Sequence, residues 1–336
     1  MAGILTLLFF LMCGVALSDA AFHRYDRLTR LWLGLCAGLI EMMWLPALFA
    51  FAIRFTKTAQ FCGAGAAALI ALIALVIARG KPRNRRWSDM PRWLLPALVA
   101  PLLILGGYLQ YTHTIREIGG ALYVGQSTYG DLCLHLGIAT SLRNAPFPPD
   151  YSLLPGARLG YPFLADSMVT TMLLMGTGLR TAFVVTGTLM LALVFAGFVI
   201  LCWHLTKSVP ATVIAYVLLF INGGLGFIYA LDGVWKDPSA FRAIFTGFYK
   251  TPTNQPDLNL RWVNLICDML IPQRTLLCGW MALIPAIYLL ARASSEGDRR
   301  TFIALGVWAG TLPMIHTHSF LALGLMSAGA MAMATT

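Results

Sequence analysis

Apolar runs separated by short polar gaps set the plan of this chain. Runs at Ile4–Leu17, Leu31–Ile53, Phe61–Ala78, Trp93–Tyr111, Phe183–Trp203, Ala211–Leu231, Leu276–Ala291, Phe302–Ile315 and Phe320–Met333 approach the length a helix needs to cross a bilayer. A shorter run, Phe163–Gly178, follows the fourth. Together they predict an all-α polytopic transmembrane helical bundle of about nine or ten spans. Pro96, Pro101 and Pro285 fall inside runs, where neighbouring helices can take up the carbonyls that proline frees.

Two long polar stretches interrupt this pattern. Thr112–Pro162 carries Arg116, Arg143 and Arg158 against Glu117, Asp131 and Asp150, and Asp232–Arg274 carries five cations against four anions. Neither has a cationic excess, so both are assigned to the outer face, as loops spanning about 112–162 and 232–274. Short amphipathic surface helices are expected in the second, at Phe241–Tyr249 and Leu258–Leu270.

Composition supports the membrane reading. Of 336 residues, 58% are hydrophobic and 11% charged, and the mean hydropathy is +0.74. A soluble domain carries about 25% charged residues. One continuous membrane domain is expected, with amino-terminal spans over residues 1–92 and a core over 93–336. A net charge of +10 would point to nucleic acid in a soluble protein. Here the charge is concentrated in gaps between apolar runs: Arg24, Arg27 and Arg30; Arg79 to Arg92; Arg292, Arg299 and Arg300. That is the positive-inside pattern of a multi-pass plasma-membrane protein, and it excludes nucleic acid as a partner.

The same rule bears on Phe163–Gly178. As a full span, it would put the second polar stretch inside and the basic Arg292–Arg300 gap outside. As a half-span or re-entrant piece, it leaves both polar stretches outside and that basic gap inside, which the charge rule favours. The seven cysteines form no CxxC and no zinc spacing, and read as small packing residues. The first apolar run lacks a preceding Lys or Arg and reads as a first span rather than a signal peptide. The apolar end at Ala330–Thr336 reads as a truncated fragment of a longer chain.

Candidate chemistry gathers in the first polar stretch. If Tyr129–Arg143 is helical, Asp131 and His135 share a face, and Ser127 is a cap near the helix start. A carboxylate beside a His at a bilayer surface can act as a general base or bind a cation; as a bland alternative, it is a solvated carboxylate with a polar neighbour. Arg143 ends the helix, either complementing its dipole or touching a lipid phosphate. Pro146-Phe147-Pro148-Pro149 forbids helix continuation, and Gly160-Tyr161-Pro162 opens the next helix. Asp166, one turn past Pro162, and Glu41 are intramembrane carboxylates; Asp166 is a second site candidate, and Glu41 is expected to make a helix–helix hydrogen bond. Gly223, Gly224 and Gly226 lack the dinucleotide-binding spacing and read as a packing or kink element.

An Asp on a surface helix of the first outer loop, then Phe147-Pro148-Pro149, then Tyr161-Pro162-Phe163-Leu164 before an apolar helix, resembles the GT-C superfamily of polytopic glycosyltransferases. Pro272-Gln273-Arg274 at the start of a span and Leu312-Pro313-Met314-Ile315-His316-Thr317-His318 at the end of another are similar to elements in bacterial members. The resemblance covers roughly residues 93–336. This chain departs from the pattern in having His135 where the family often carries a second acid, and Phe163 for a second proline.

The resemblance implies a GT-C-like fold and a membrane glycosyltransferase. It would move a sugar from a polyprenyl-phosphate donor to an acceptor hydroxyl on a glycan, lipid or protein at the outer face, with inversion. Asp131 would be the base or acceptor-orienting residue, with His135 positioning it or the acceptor. Arg274, and with it Arg143, would meet the phosphate, although a lone Arg at a span mouth also serves as a snorkelling anchor. His316 and His318 are expected to face different ways on a helix and to line the cavity with Tyr161 rather than form a metal site. The superfamily admits a divalent cation, but one Asp and one His are too few ligands to assign it. The rival readings are a polytopic transporter or flippase using the same cavity, and a membrane scaffold.

Overall fold

A computed structural model of the chain describes residues 2–125, 129–154, 156–223, 226–246, 257, 259 and 264–335. Among these residues, six helices are long and apolar enough to cross a membrane. They are α1 (Ala2–Ala21), α2 (Arg27–Ile53), α3 (Lys57–Ile77), α4 (Leu94–Leu109, continued by a π-helical turn over Gln110–Thr114), α7 (Leu179–Thr206) and α11 (Arg274–Glu296). Shorter helices are α5 (Tyr129–Ser141), α6 (Leu164–Leu174), α8 (Val209–Phe220), α9 (Gly226–Lys236), α10 (Ser239–Thr246), α12 (Arg299–Thr311) and α13 (Thr317–Thr335). The molecule is therefore an all-α polytopic bundle with fewer full-length crossings than the apolar runs predict.

Helix ends follow local chemistry. Asp26 accepts from the Thr29 amide to cap α2, Thr56 caps α3, and Asp298 caps α12 through the Arg300 and Thr301 amides. Gly297 ends α11 in the left-handed conformation that glycine adopts without steric penalty. The expected span Ala211–Leu231 is two helices, α8 and α9. Asn264 Nδ2 donates to the carbonyls of Phe220 and Asn222, satisfying backbone groups that the break leaves free. Of the surface helices expected in the second polar stretch, α10 covers the start of the first; of Leu258–Leu270, residues 258 and 260–263 lie outside the described residues, and the end is a π-helical turn over Leu265–Leu270.

Glycine sets the tightest packing. Gly34 and Gly38, four apart on α2, press against the α1 backbone at Gly14 and Val15. A Cβ on Gly38 would stand 2.5 Å from the Phe10 carbonyl oxygen, so only hydrogen allows the two helices this approach. Trp32 on α2 fits over Gly197 of α7 and donates its indole N–H to the Leu193 carbonyl at 3.1 Å. The amino-terminal helices are therefore built into one core with α6, α7 and α11.

The basic gaps around Arg24–Arg30, Arg79–Arg92 and Arg292–Arg300 meet at one end of the bundle. Arg30 bonds the carbonyls of His23, Tyr25 and Asn84 and lies 2.9 Å from Asp19. Lys207, just past α7, pairs with Asp89 at 2.6 Å, and the Arg292 guanidinium sits 4.6 Å from the Tyr25 ring centre. The opposite end holds the first polar stretch. There, Arg180 at the start of α7 donates to the Tyr111 carbonyl beyond α4.

Helix α6 is too short for a full crossing. Its eleven residues rise about 16 Å, half of a ~30 Å hydrocarbon core. It begins at Phe163, packed on Phe147, and its far flank at Thr177 meets Gly3 at the start of α1. Both ends thus lie at the end away from the basic turns. It is a half-length helix that stays at that end of the bundle, which agrees with the charge pattern.

Candidate functional site

The site is built on two parallel helices. His135 of α5 meets Asp166 of α6, and four residues further along each helix the Thr170 hydroxyl donates to the Ala139 carbonyl at 2.8 Å. One helical register thus repeats over a full turn. The loop joining α5 to α6 is held from below. Phe147 stacks on Phe55 at 5.3 Å and meets Phe51 and Phe163 edge-on, while the Phe55 and Asn144 amides bond the Ala145 and Phe55 carbonyls. The Phe-Pro-Pro element therefore shapes the loop by docking it on the α2–α3 turn. Gln60 of α3 adds a bond to Thr171 of α6.

A buried polar cluster lies between α5, α6, α7 and α11. His135 and Asp166 are fully buried, and Arg274 is 4% exposed. Asp166 Oδ2 accepts from His135 Nδ1 at 2.9 Å, so the ring carries a proton on that nitrogen. Arg274 Nε stands 3.7 Å from Asp166 Oδ1, its Nη2 donates to Thr186, and its guanidinium lies over the Phe183 ring at 4.8 Å. Among the described residues, Asp166 Oδ1, Arg274 Nε and His135 Nε2 have no hydrogen-bond partner. Buried charges hold only when paired, so this cluster is a constraint on how the four helices sit.

Asp131 stands apart from that cluster. It is exposed in the first turn of α5, where the dipole favours a carboxylate, and it makes no ion pair with any described residue. Tyr161 lies between it and the buried network. Its ring is 6.0 Å from that of His135, and its hydroxyl shares a 2.9 Å hydrogen bond with Thr275. Burial pushes the Tyr161 phenol above its usual range; the Thr275 bond opposes this, and the charges of Asp166 and Asp131 add to it. The phenol is neutral at physiological pH.

The expected pairing of His135 with Asp131 is thus corrected. The two share a helix and its general face, but α6 covers only the second turn, so His135 is buried against Asp166 while Asp131 stays exposed. Arg143 is exposed beyond the far end of α5, about 18 Å from Asp131 along the axis. Ser127, the expected cap, lies outside the described residues.

His316 and His318 do come together, contrary to their expected divergence. Their ring centres are 5.4 Å apart because His316 precedes α13 and is free of the helical repeat. His316 Nδ1 bonds Ser319 at 2.8 Å, and its ring sits against Gly279, one turn past Thr275 on the same face of α11. Burial pushes the His316 imidazole down to about 4, with the neighbouring His318 adding to the shift. The Leu164 amide donates to the Met314 carbonyl at 3.3 Å, joining this segment to the start of α6.

Sequence reasoning missed Thr186, within an apolar run, and Thr275, at the edge of one, hydroxyls that receive Arg274 and Tyr161. It also missed a hairpin, Arg116–Ile118 paired with Ala121–Tyr123, turned by Gly119 and Gly120 with positive φ. The hydrogen bond expected of Glu41 is absent: both its oxygens are buried without a partner among the described residues. No group of three or more His, Cys, Asp or Glu among those residues is placed to hold a metal. Comparisons with protein-family models, curated proteins and solved structures found no match to this chain.

Proposed function

We propose that this chain is a GT-C-like membrane glycosyltransferase acting at the face opposite its basic end. By the positive-inside rule, that is the outer face of the plasma membrane. The observation that carries the reading is the placement of Asp131: an exposed carboxylate on a helix pinned to its neighbours by the buried His135–Asp166–Arg274 network. Such a support holds a reacting group in one position, which general-base chemistry needs.

In this mechanism, Asp131 takes the proton of an acceptor hydroxyl. The hydroxyl oxygen attacks the anomeric carbon of a polyprenyl-phosphate sugar. The bond from that carbon to the phosphate oxygen breaks, polyprenyl phosphate leaves with the electron pair, and the anomeric configuration inverts. His135 and Arg274 act through Asp166 as positioning residues. This reassigns Arg274: its contacts to Thr186, Phe183 and Asp166 occupy the guanidinium that a phosphate would need.

The test is sugar transfer by the purified chain in liposomes supplied with a polyprenyl-phosphate sugar. Asp131→Asn should lower the rate by about 100-fold or more, the usual contribution of a general base, with unchanged membrane insertion. Full retention of transfer would overturn the role of Asp131. Movement of the intact lipid-linked sugar across the bilayer without transfer would instead establish the transporter reading.

A further inference from the structure

A second feature lies at the basic end, away from Asp131. A cavity of about 480 Å³ opens there between the α1–α2 turn, the end of α3 and the start of α12. A second, of about 390 Å³, runs deeper between α1, α2 and α12. They share Ala21, Phe22 and Ala304, so they form one groove running from the basic end into the membrane-facing side of the bundle.

The chemistry of this groove is divided along its length. At the mouth stand Arg24, Lys81 and Arg300. Among the described residues none of these three forms a close ion pair; Arg24 feels the charge of Asp298, which leaves the three cations facing a single carboxylate. The one carboxylate at the mouth, Asp298, is turned to the α12 amides and to the Thr301 hydroxyl, which donates to it at 2.8 Å. Deeper in, the walls are mostly apolar, including Leu17, Ile40, Leu45, Ile70 and Val307, with the buried carboxyl of Glu41 the one ionisable group among them. Small side chains at Ala21, Ala37 and Ala304 leave the slot open between bulkier neighbours. His23 at the mouth is already bonded to the Pro82 carbonyl and contributes shape rather than charge.

We propose that this groove seats one anionic phospholipid of the leaflet at the basic end. Its phosphate lies among Arg24, Lys81 and Arg300, and an acyl chain runs along the apolar slot towards Trp44 and Trp308. Charge complementarity and the join between the two cavities select this occupant. A soluble anion would leave the apolar slot empty, and a zwitterionic lipid would leave the three cations in excess. Diffuse attraction of basic loops to an anionic surface needs no slot, whereas this seat needs both parts at once.

The experiment uses the full chain in detergent, with phosphatidylglycerol, phosphatidylcholine or glycerol phosphate added. Native mass spectrometry counts retained lipid and thermal unfolding reads stabilisation. One phosphatidylglycerol should be retained in preference to phosphatidylcholine, and glycerol phosphate should give no stabilisation. The triple variant R24Q/K81Q/R300Q should lose retention by about fivefold per cation removed, on the order of 100-fold in all. Ala304→Phe, which fills the slot without changing charge, should lose it too, and Ala21→Phe provides a second filling variant should the first fail to elute as a monodisperse peak. Equal retention of both lipids would overturn the proposal. So would equal stabilisation by glycerol phosphate, or loss in the charge variant with full retention in both filling variants.

Discussion

Asp166 ties a histidine and an arginine together in the interior, the first two fully buried and Arg274 nearly so. Removing one member leaves its partners buried and uncompensated. Asp166→Leu and Arg274→Met should each destabilise the protein by about 3–5 kcal/mol in detergent unfolding, whereas the double variant should cost much less than the sum. Additive losses would show that the pair is not coupled. His316 supplies a pH signature. Its folded value of about 4 lies below the ordinary histidine value, so the folded state resists protonating it. Stability should be constant above about pH 6.5 and fall progressively as pH drops towards 4, a slope that His316→Gln should reduce in pH-dependent melting curves. Residue identities were only partly legible from the sequence. Spacing placed Asp131 and His135 on one helix face, but depth depends on how far the neighbouring helix extends, and no local pattern encodes that. His316 escaped the helical spacing argument because it lies just outside its helix.

At the scale of elements, helix length and packing partner decide what each apolar run becomes. The long runs in α2, α7 and α11 were legible because apolar length and composition are direct readouts of a crossing. The break after Phe220 was not, since it depends on Asn264, more than forty residues away, bonding the freed carbonyls. Nor was the α1–α2 contact: Gly34 and Gly38 announce a close approach but do not name Gly14 as the facing residue. Gly38→Val should push these helices apart and destabilise the protein by about 1–3 kcal/mol, read as a lower melting temperature. An equal effect from Gly65→Val, which meets open space, would show that the cost lies in helix propensity rather than packing.

For the whole molecule, the half-helix α6 decides which loops share a side. Single cysteines at Gly156 and Gly176 should react together with a membrane-impermeant thiol reagent applied to one face, and one at Arg85 only from the other. These measurements are made in a background whose native cysteines are replaced. Labelling of Gly156 and Gly176 from opposite faces would make α6 a true crossing and move the second polar stretch away from Asp131. The basic gaps made this topology readable in outline, because charge bias sets the orientation of flanking helices. They gave no sign that the first three helices support the site, since that support rests on aromatic stacking between residues some ninety positions apart.

That stacking has a consequence for assembly. The turn carrying Phe55 leaves the ribosome long before Ala145 and Phe147 exist, so the first three helices are a template completed in advance. The two backbone hydrogen bonds and the aromatic stack that join them to the loop form between separate stretches of chain, with no covalent continuity required. Residues 1–92 and 93–336, made as two polypeptides in one cell, should therefore find each other in the bilayer and co-purify. A charged residue in place of Phe147 should weaken that reunion, the remaining contacts of Trp32 and Tyr25 holding the two pieces less firmly, while leaving each piece able to insert on its own.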